Sequence, residues 1–374
     1  MKKKFDYVFL GISLALIVLG ILILASVSAS LGQEKFGDVY YFLRRHLIYG
    51  VIPGVILAFL AFKIPLSLIK KWAFPLLLIN LLFLGLVFLP KIGLSYGGAA
   101  RWINLGFFSF QPSEFFKLTF LIYLAAWLSS RTAQDSSTLK RKETKKYQTL
   151  TTLLIPFLLI LGTAAIFLIK QPAISTLGIT ILTAGVIYFG ASAPIWHLII
   201  IGTVGISGFL YLIYSATYRF HRLTVLLQPA TDPMGIGYQI KQSLIAVGSG
   251  GILGLGLGMS RQKFGFLPEP IGDAVFAVFS EETGFLGALI LISLFLIFAW
   301  RGFKIIKAAS DKFSGLLALG IIFWISSQAF INIGSMIGIL PLTGIPLPFI
   351  SYGGSHIVAE LIGLGILLNI SKNI

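Results

Sequence analysis

Cysteine is absent from the 374 residues, so no disulfide staples the chain and no thiolate binds a metal. Charge is scarce: Asp, Glu, Lys and Arg make up 11%, where an ordinary globular chain carries about 25%. That is too little polar material to cover a water-soluble body of this length. It excludes an aqueous enzyme, a disordered chain and a fibrous repeat. Acids are scarcest, 13 against 29 Lys and Arg. Four scattered His residues show no His-x3-His spacing, so no zinc or haem centre is expected. What is abundant is apolar, 57% of the chain, and this composition reads as a polytopic membrane protein.

Ten apolar runs approach the roughly 20 residues a helix needs to cross about 30 Å of hydrocarbon. They lie at 7–29, 46–62, 72–89, 113–129, 148–169, 173–190, 195–214, 274–300, 314–336 and 355–371. They are continuous rather than alternating, so helices are expected rather than a barrel, and the fold class is all-α. The first run is too long for a signal peptide and Ala25-Ser-Val-Ser-Ala29 only weakly resembles a cleavage site, so it reads as an uncleaved anchor. No internal repeat or coiled-coil pattern appears. The whole of 1–374 reads as one integral-membrane domain with a large loop at 215–273.

Ten spans put both termini on one side. The N-terminus, 63–71, 129–147, 301–313 and the C-terminus hold 17 Lys and Arg, and the opposite short loops hold 6. The positive-inside rule then places both termini in the cytoplasm, and the 215–273 loop outside. Trp72, Trp127, Trp196 and Trp300 fall at the inner ends of spans, as an interfacial belt requires. The basic excess belongs to membrane topology and lipid headgroups, not to nucleic acid.

An ion at membrane depth costs at least about 2.5–3.5 kcal/mol by insertion scales, so each one needs a partner, water or a task. Glu114 and Lys117 are three apart on one helix face. They form either an internal ion pair or a cation facing an anionic ligand with Glu114 orienting it. The Lys117 stem is long enough to snorkel to the outer boundary. Asp273 ends the long loop among Ile271, Gly272, Ala274, Val275 and Phe276. It reads either as a helix N-terminal acid or as a general base raised by its apolar neighbours. Glu281 comes nearer to the Asp273 face of the helix than Glu282, which is expected to pair with another helix. Arg101, Arg219 and Arg222 are outer-face guanidiniums, suited to phosphate oxygens or to lipid headgroups. His356 and Glu360 are four apart and could bond to each other, in a structural role. The Gly248–Gly258 run lacks the ending of a nucleotide loop.

Four stretches resemble one family. They are Arg101-Trp-Ile with Phe110-Gln-Pro-Ser-Glu-Phe-Phe-Lys117; Asp232-Pro-Met-Gly-Ile-Gly-Tyr-Gln239 with Gln242-Ser; Phe266-Leu-Pro-Glu-Pro-Ile-Gly-Asp273 with Glu281-Glu-Thr-Gly284; and Leu340 to Ser355. In this order, over nearly the whole chain, they resemble the SEDS proteins (shape, elongation, division and sporulation). The ending looks closer to the division and sporulation members than to the elongation member. The resemblance implies a peptidoglycan polymerase. It would transfer a glycan from undecaprenyl diphosphate onto lipid II at the outer face of the cytoplasmic membrane, in division or cell-shape control. It also implies a class B penicillin-binding transpeptidase as partner, among other division or elongation membrane proteins. Asp273 matches the catalytic acid, and Arg101 and Lys117 match basic cavity positions. Glu114, Arg219 and Glu281 are candidate substrate-binding residues beside them.

The chain departs from the family pattern at Ala173, where an acid is frequent, at Ile271-Gly272 before Asp273, and at Ala100 before Arg101. No metal ligand cluster is visible and no motif names a cofactor, though a divalent cation, Mg or Mn, could share the diphosphate charge. Two other classes compete: a lipid II flippase, and a non-catalytic scaffold for the transpeptidase. The absence of a repeat and the clustering of polar residues at the outer boundary favour the enzyme over a transporter.

Overall fold

The computed structural model describes residues 5–96, 99–104, 106, 109–135, 150–215, 217–228, 232 and 234–372. Among the described residues the chain is mostly helical. The first helices are α1 (Tyr7–Phe36), α2 (Tyr41–Lys63), α3 (Leu66–Leu86) and α4 (Pro112–Asp135). Then follow α5 (Thr151–Lys170), α6 (Ile174–Gly190), α7 (Ile195–Tyr214), α8 (Thr217–Leu227) and α9 (Ile236–Ser249). The last three are α10 (Val275–Lys307), α11 (Lys312–Met336) and α12 (Gly354–Ser371). Seven of these (α1, α2, α3, α5, α10, α11 and α12) are long and apolar enough to cross a membrane, and α6 and α7 are shorter apolar helices. The basic stretch at 136–149 lies outside the described residues.

Local chemistry sets the boundaries. Asp6 caps α1 by accepting from Phe9 N–H at 2.9 Å, and Gly37 ends it in the left-handed conformation at φ 66°. α2 carries a π turn at Leu47–Val51, just before Pro53, and α5 opens with another at Leu150–Leu154, just before Pro156. Proline has no N–H to complete the ladder, and a wider turn absorbs the missing bond.

The centre of the bundle is α11 and α12, whose most apolar windows are 67% and 89% buried, against 22% for α2. Small residues allow this closeness: a Cβ added at Gly365 would stand 2.2 Å from the Ala58 carbonyl oxygen. The all-α expectation needs one correction. Residues 93–110 form a small antiparallel sheet, β1 (Gly93–Tyr96), β2 (Ala99–Asn104) and β3 (Ser109–Phe110), with Gly93 opposite Ile103 and Ile103 opposite Phe110.

Residues 215–273 are not a free loop either. They contain α8 and α9, and then a strap, 250–258, that lies against α10. α10 breaks at Gly284, which has φ 69° and ψ −167°. A helix would bond Phe285 N–H to Glu281 and Leu286 N–H to Glu282. Those amides instead donate to Gly251 (2.9 Å) and Ile252 (3.2 Å), and the freed Glu281 and Glu282 carbonyls accept from Leu255 and Gly256 at 3.0 Å each. The strap thus replaces the two helix bonds lost at the break.

Gly284 cannot be changed cheaply. A Cβ there would meet Gly254 N at 2.3 Å, and the backbone conformation alone costs a non-glycine residue about 1–3 kcal/mol. Gly284→Ala is expected to lower the unfolding temperature of the purified protein clearly. Gly162→Ala, with open space around its Cβ, should leave it unchanged or slightly raised. Equal melting of the two variants would contradict the role given to the break.

Candidate active site

Asp273 stands one turn residue before α10, half-buried, and its backbone is pinned from two sides. Asn332 on α11 donates its amide to the Asp273 carbonyl at 2.8 Å and to the Ile345 carbonyl at 2.7 Å. Ser351 donates to the Gly272 carbonyl at 2.7 Å, and Tyr352 N–H donates to the Ile271 carbonyl at 2.8 Å. The C-terminal signature loop, Leu340 to Ser355, therefore grips Ile271 and Gly272, and α11 grips Asp273 through Asn332. The carboxylate differs from this tightly bonded main chain: its Oδ1 is buried and has no hydrogen-bond partner. Burial pushes the Asp273 carboxyl up, with repulsion from Glu269 adding to it, to about 6; the Gln239 side chain and the Arg222 charge pull against this.

Arg222, on α8, donates Nη1 to the Leu342 carbonyl at 3.1 Å and keeps a buried Nε–H with no partner. It stands nearer to the acid than its place at the start of the long loop suggested. Gln239 lies inside the Asp232–Gln239 motif, and that motif was the signal for it. Arg222 had only its spacing from Arg219 as a signal. The Arg219 side chain lies outside the described residues.

Arg101, on β2, turns its guanidinium to the carbonyls of Gln171 (3.1 Å) and Pro172, in the turn between α5 and α6. Ser175, at the start of α6, donates to the Thr343 carbonyl of the signature loop. Arg101 is thus joined to the Asp273 surroundings through main chain.

Lys117 and Glu114 form an ion pair at 2.9 Å, both side chains almost fully buried. The Lys117 ammonium also donates to Gln328 Oε1 at 2.9 Å and lies 5.0 Å from the Trp324 ring centre. The expected snorkelling to the outer boundary is corrected here: with partners this close, the ammonium stays inside the bundle. Gln328 passes the contact on, donating to the Pro346 carbonyl at 3.1 Å. Gln328 and Asn332 are four apart on α11, so Lys117 and Asp273 meet the same helix and the same loop one turn apart.

Two other expectations change. Glu281 does not face the surroundings of Asp273. Its oxygens accept from Ser260, from Arg261 N–H and Gln262 N–H at 3.2 Å each, and from Ser249 at 3.5 Å. That carboxylate closes the end of the strap and has no oxygen left for substrate. Glu360 accepts from Phe349 N–H (2.8 Å) and Gln328 (3.3 Å) rather than from His356, because Phe349, at φ 64°, aims its amide inward. Glu282 accepts from Ser26 of α1 at 2.6 Å and from Lys263 at 2.8 Å.

On the other side of the signature loop lies a cavity of about 550 Å3 between α2, the sheet and the start of α12. Arg45, His46 and Ser355 are among its polar lining; Ile48, Leu57 and Phe115 make much of the rest apolar. Among the described residues no group of three or more His, Asp or Glu comes together that could hold a metal ion.

The family model described as FtsW, RodA and SpoVE cell cycle protein matches residues 7–374. The chain is similar to the stage V sporulation protein E of Bacillus subtilis (strain 168), at 40% identity over 371 residues, covering 99% of this chain and 98% of that one. It is similar to the probable peptidoglycan glycosyltransferase FtsW of Geobacter sp. (strain M18), at 36% identity over 99% of this chain and 97% of that one. Among solved structures it resembles a chain of a peptidoglycan synthase complex that coordinates polymerization and crosslinking, with TM-score 0.74, 25% identity and 98% of each chain covered. It also resembles the rod shape determining protein RodA of Thermus thermophilus, with TM-score 0.68, 25% identity, and 98% and 97% covered.

Proposed function

The chain belongs to the FtsW, RodA and SpoVE family of cell cycle proteins, and on that footing we propose that it is a peptidoglycan glycosyltransferase of the membrane. It takes a growing glycan from undecaprenyl diphosphate and joins it to lipid II. The acceptor's 4-hydroxyl gives its proton to Asp273 Oδ1, and the oxygen attacks the donor's anomeric carbon from the face opposite the diphosphate. The sugar–oxygen bond to the diphosphate breaks, its electron pair leaves with the phosphate, and the configuration inverts. The observation that carries this reading is the buried, unpartnered Asp273 Oδ1 beside a backbone held by Asn332 and Ser351. A base needs a free lone pair and a fixed position, and Asp273 has both.

The guanidinium best placed to meet charge on the departing diphosphate is Arg222, through its free Nε–H. Arg219 stands one turn before it and is assigned the same task. Arg101 shapes the mouth through the Gln171–Pro172 turn. Lys117 and Glu114 act at one remove, holding Gln328 and through it the signature loop. Asp273 feels the Glu269 charge, and a divalent cation, Mg or Mn, held by the diphosphate oxygens themselves would share the departing charge with Arg222.

The chain lies in the cytoplasmic membrane as a single domain of ten spans, α1 to α7 and α10 to α12. Both termini and 129–147 are inside, and α8, α9 and Asp273 are outside, as the 17 to 6 distribution of Lys and Arg requires. Asp273 precedes Trp300 by 27 residues, or roughly 40 Å of helix. A bilayer with its headgroups is about 40–45 Å thick, so even with α10 interrupted at Gly284 this length supports an acid near the height of a lipid-linked diphosphate. A class B penicillin-binding transpeptidase is the partner, consistent with the synthase complex that the fold resembles.

Purified protein given labelled lipid II tests the reading. Long glycan is expected; movement of lipid II between leaflets without polymer would make it a flippase, and neither result would make it a scaffold. The break in α10 is the kind of discontinuity transporters use, but its freed amides and carbonyls already bond the strap. The sidedness has its own check, made simple by the lack of native cysteine. Met234→Cys, at a 91% exposed position, should react with an impermeant thiol reagent from outside, and Ser137→Cys should not. The reverse pattern would overturn the topology and the site with it.

A further inference from the structure

Two contacts tie α1 to α10. Asp6 accepts from Arg301 at 2.7 Å, beside Trp300, and Ser26 donates to Glu282 at 2.6 Å. Ser26 is 20 residues from Asp6 and Glu282 is 19 from Arg301, or about 30 Å along either helix. That is the hydrocarbon thickness of a bilayer. The level of Ser26 and Glu282 is therefore the far edge of the apolar layer, and the strap bonds α10 at that level. Its surface is apolar: Ile252, Leu253, Leu257, Met259, Phe264 and Phe266 are each between 55% and 78% exposed.

A water-facing segment does not carry six large apolar side chains in fifteen residues. The rest of the segment is equally suited to an apolar medium. Residues 250–268 contain no acid. Lys263 is buried against Glu282 and the Gly258 carbonyl. The amides and carbonyls facing the α10 break are bonded, the condition for irregular backbone at membrane depth. A groove of about 510 Å3 descends from Leu257 between α1 and α10, lined by Leu22, Ile23, Ile290 and Leu291. Its width and lining suit an acyl chain.

We propose that residues Ile252–Phe266 form a collar inserted into the leaflet on the Asp273 side. Lipid acyl chains cover its apolar side chains, and exposed Arg261 meets a headgroup phosphate. That this leaflet is the outer one rests on the function proposed above; the insertion itself does not. The collar would fix the height of the strap, and through its bonds to α10 the height of Asp273 above the lipid.

The full chain, labelled with a nitroxide at Leu253→Cys, Leu257→Cys or Phe264→Cys, is placed in vesicles of phosphatidylethanolamine and phosphatidylglycerol. Collision with oxygen, which concentrates in lipid, is compared with collision with a polar nickel chelate. Phe285→Cys, at a 61% exposed α10 position, serves as the lipid-facing reference and Glu269→Cys as the aqueous one. The oxygen-to-nickel ratio at the three collar positions is expected to match Phe285 and to exceed Glu269 severalfold. A ratio like that of Glu269 would put the collar in water and overturn the proposal. Low collision with both reagents would mean that protein, such as a second copy of the chain, covers the collar, and would overturn it as well. Neither outcome depends on whether the protein polymerises glycan.

Discussion

Asp273→Asn is expected to lower glycan polymerisation by about 10²–10⁴-fold, the usual loss when a general base is removed. Asn keeps the shape, and the Asn332, Ser351 and Tyr352 contacts reach main-chain atoms at 271–273, which the change does not touch. Membrane insertion and melting should stay near wild type. A variant that polymerises normally would remove Asp273 from the chemistry. The pH profile gives a second reading of the same group. The base works ionised, so kcat/KM should fall as pH drops through about 6, the value to which burial raises this carboxyl. Its effect on stability has the opposite sign. A carboxyl raised in the folded state contributes stability that is fully present below its unfolded value and is lost as pH rises through about 6. Activity lost on acidification near pH 6 without any fall in melting temperature therefore identifies a titrating base rather than unfolding.

Lys117→Ala should do more damage to the fold than any other single charge removal in the bundle. It leaves Glu114 buried without its cation and takes a donor from Gln328. Breaking one side of a buried pair costs about 3–5 kcal/mol. Failure to accumulate in the membrane, or a melting temperature lowered by many degrees, is the expected result. The double variant Lys117→Met with Glu114→Gln removes both charges at similar volume and should recover most of the lost stability. If the single and double variants melt alike, the pair is not what holds this part of the bundle. Activity separates positioning from direct contact. With Lys117 acting through Gln328, the recovered double variant should keep measurable polymerisation; a cation touching the diphosphate could not be replaced by Met.

The sequence was most legible where one residue type has one meaning. The apolar runs became helices because nothing else satisfies the backbone in lipid, and the Glu114–Lys117 spacing became an ion pair because a helix brings i and i+3 together. Position alone left Asp273 either a helix N-terminal acid or a base, and only the family resemblance chose between them. Two of the errors share one cause: Glu281 and Glu360 were each placed from their own helix alone. Glu281 was placed by rotation about a continuous helix, but its partners come from 249–262, and the helix is broken three residues later at Gly284. Glu360 bonds Phe349 rather than His356 because a left-handed residue eleven positions away turns its amide inward. Arg222 gained its position from Leu342, 120 residues away. Such contacts follow from tertiary packing, which spacing along the chain does not encode. The sheet at 93–110 was missed because its strands are short, held by four cross-strand pairs between β1 and β2 and two between β2 and β3.

The break in α10 also bears on how the protein is made. Helix bonds join residues four apart and form as soon as a segment leaves the ribosome. The bonds that close this break join Gly251 to Phe285 and Ile252 to Leu286, 34 residues apart. They cannot form until the strap and the first turns of α10 have both been made and have met. Until then the Gly284 level of α10 lacks the four strap partners it has in the folded chain. Docking of the strap is thus a late step in assembly, and it joins the half of α10 next to Asp273 to the half beyond Gly284. A chain stalled before that step would have its helices and yet lack the rigid seat beneath Asp273.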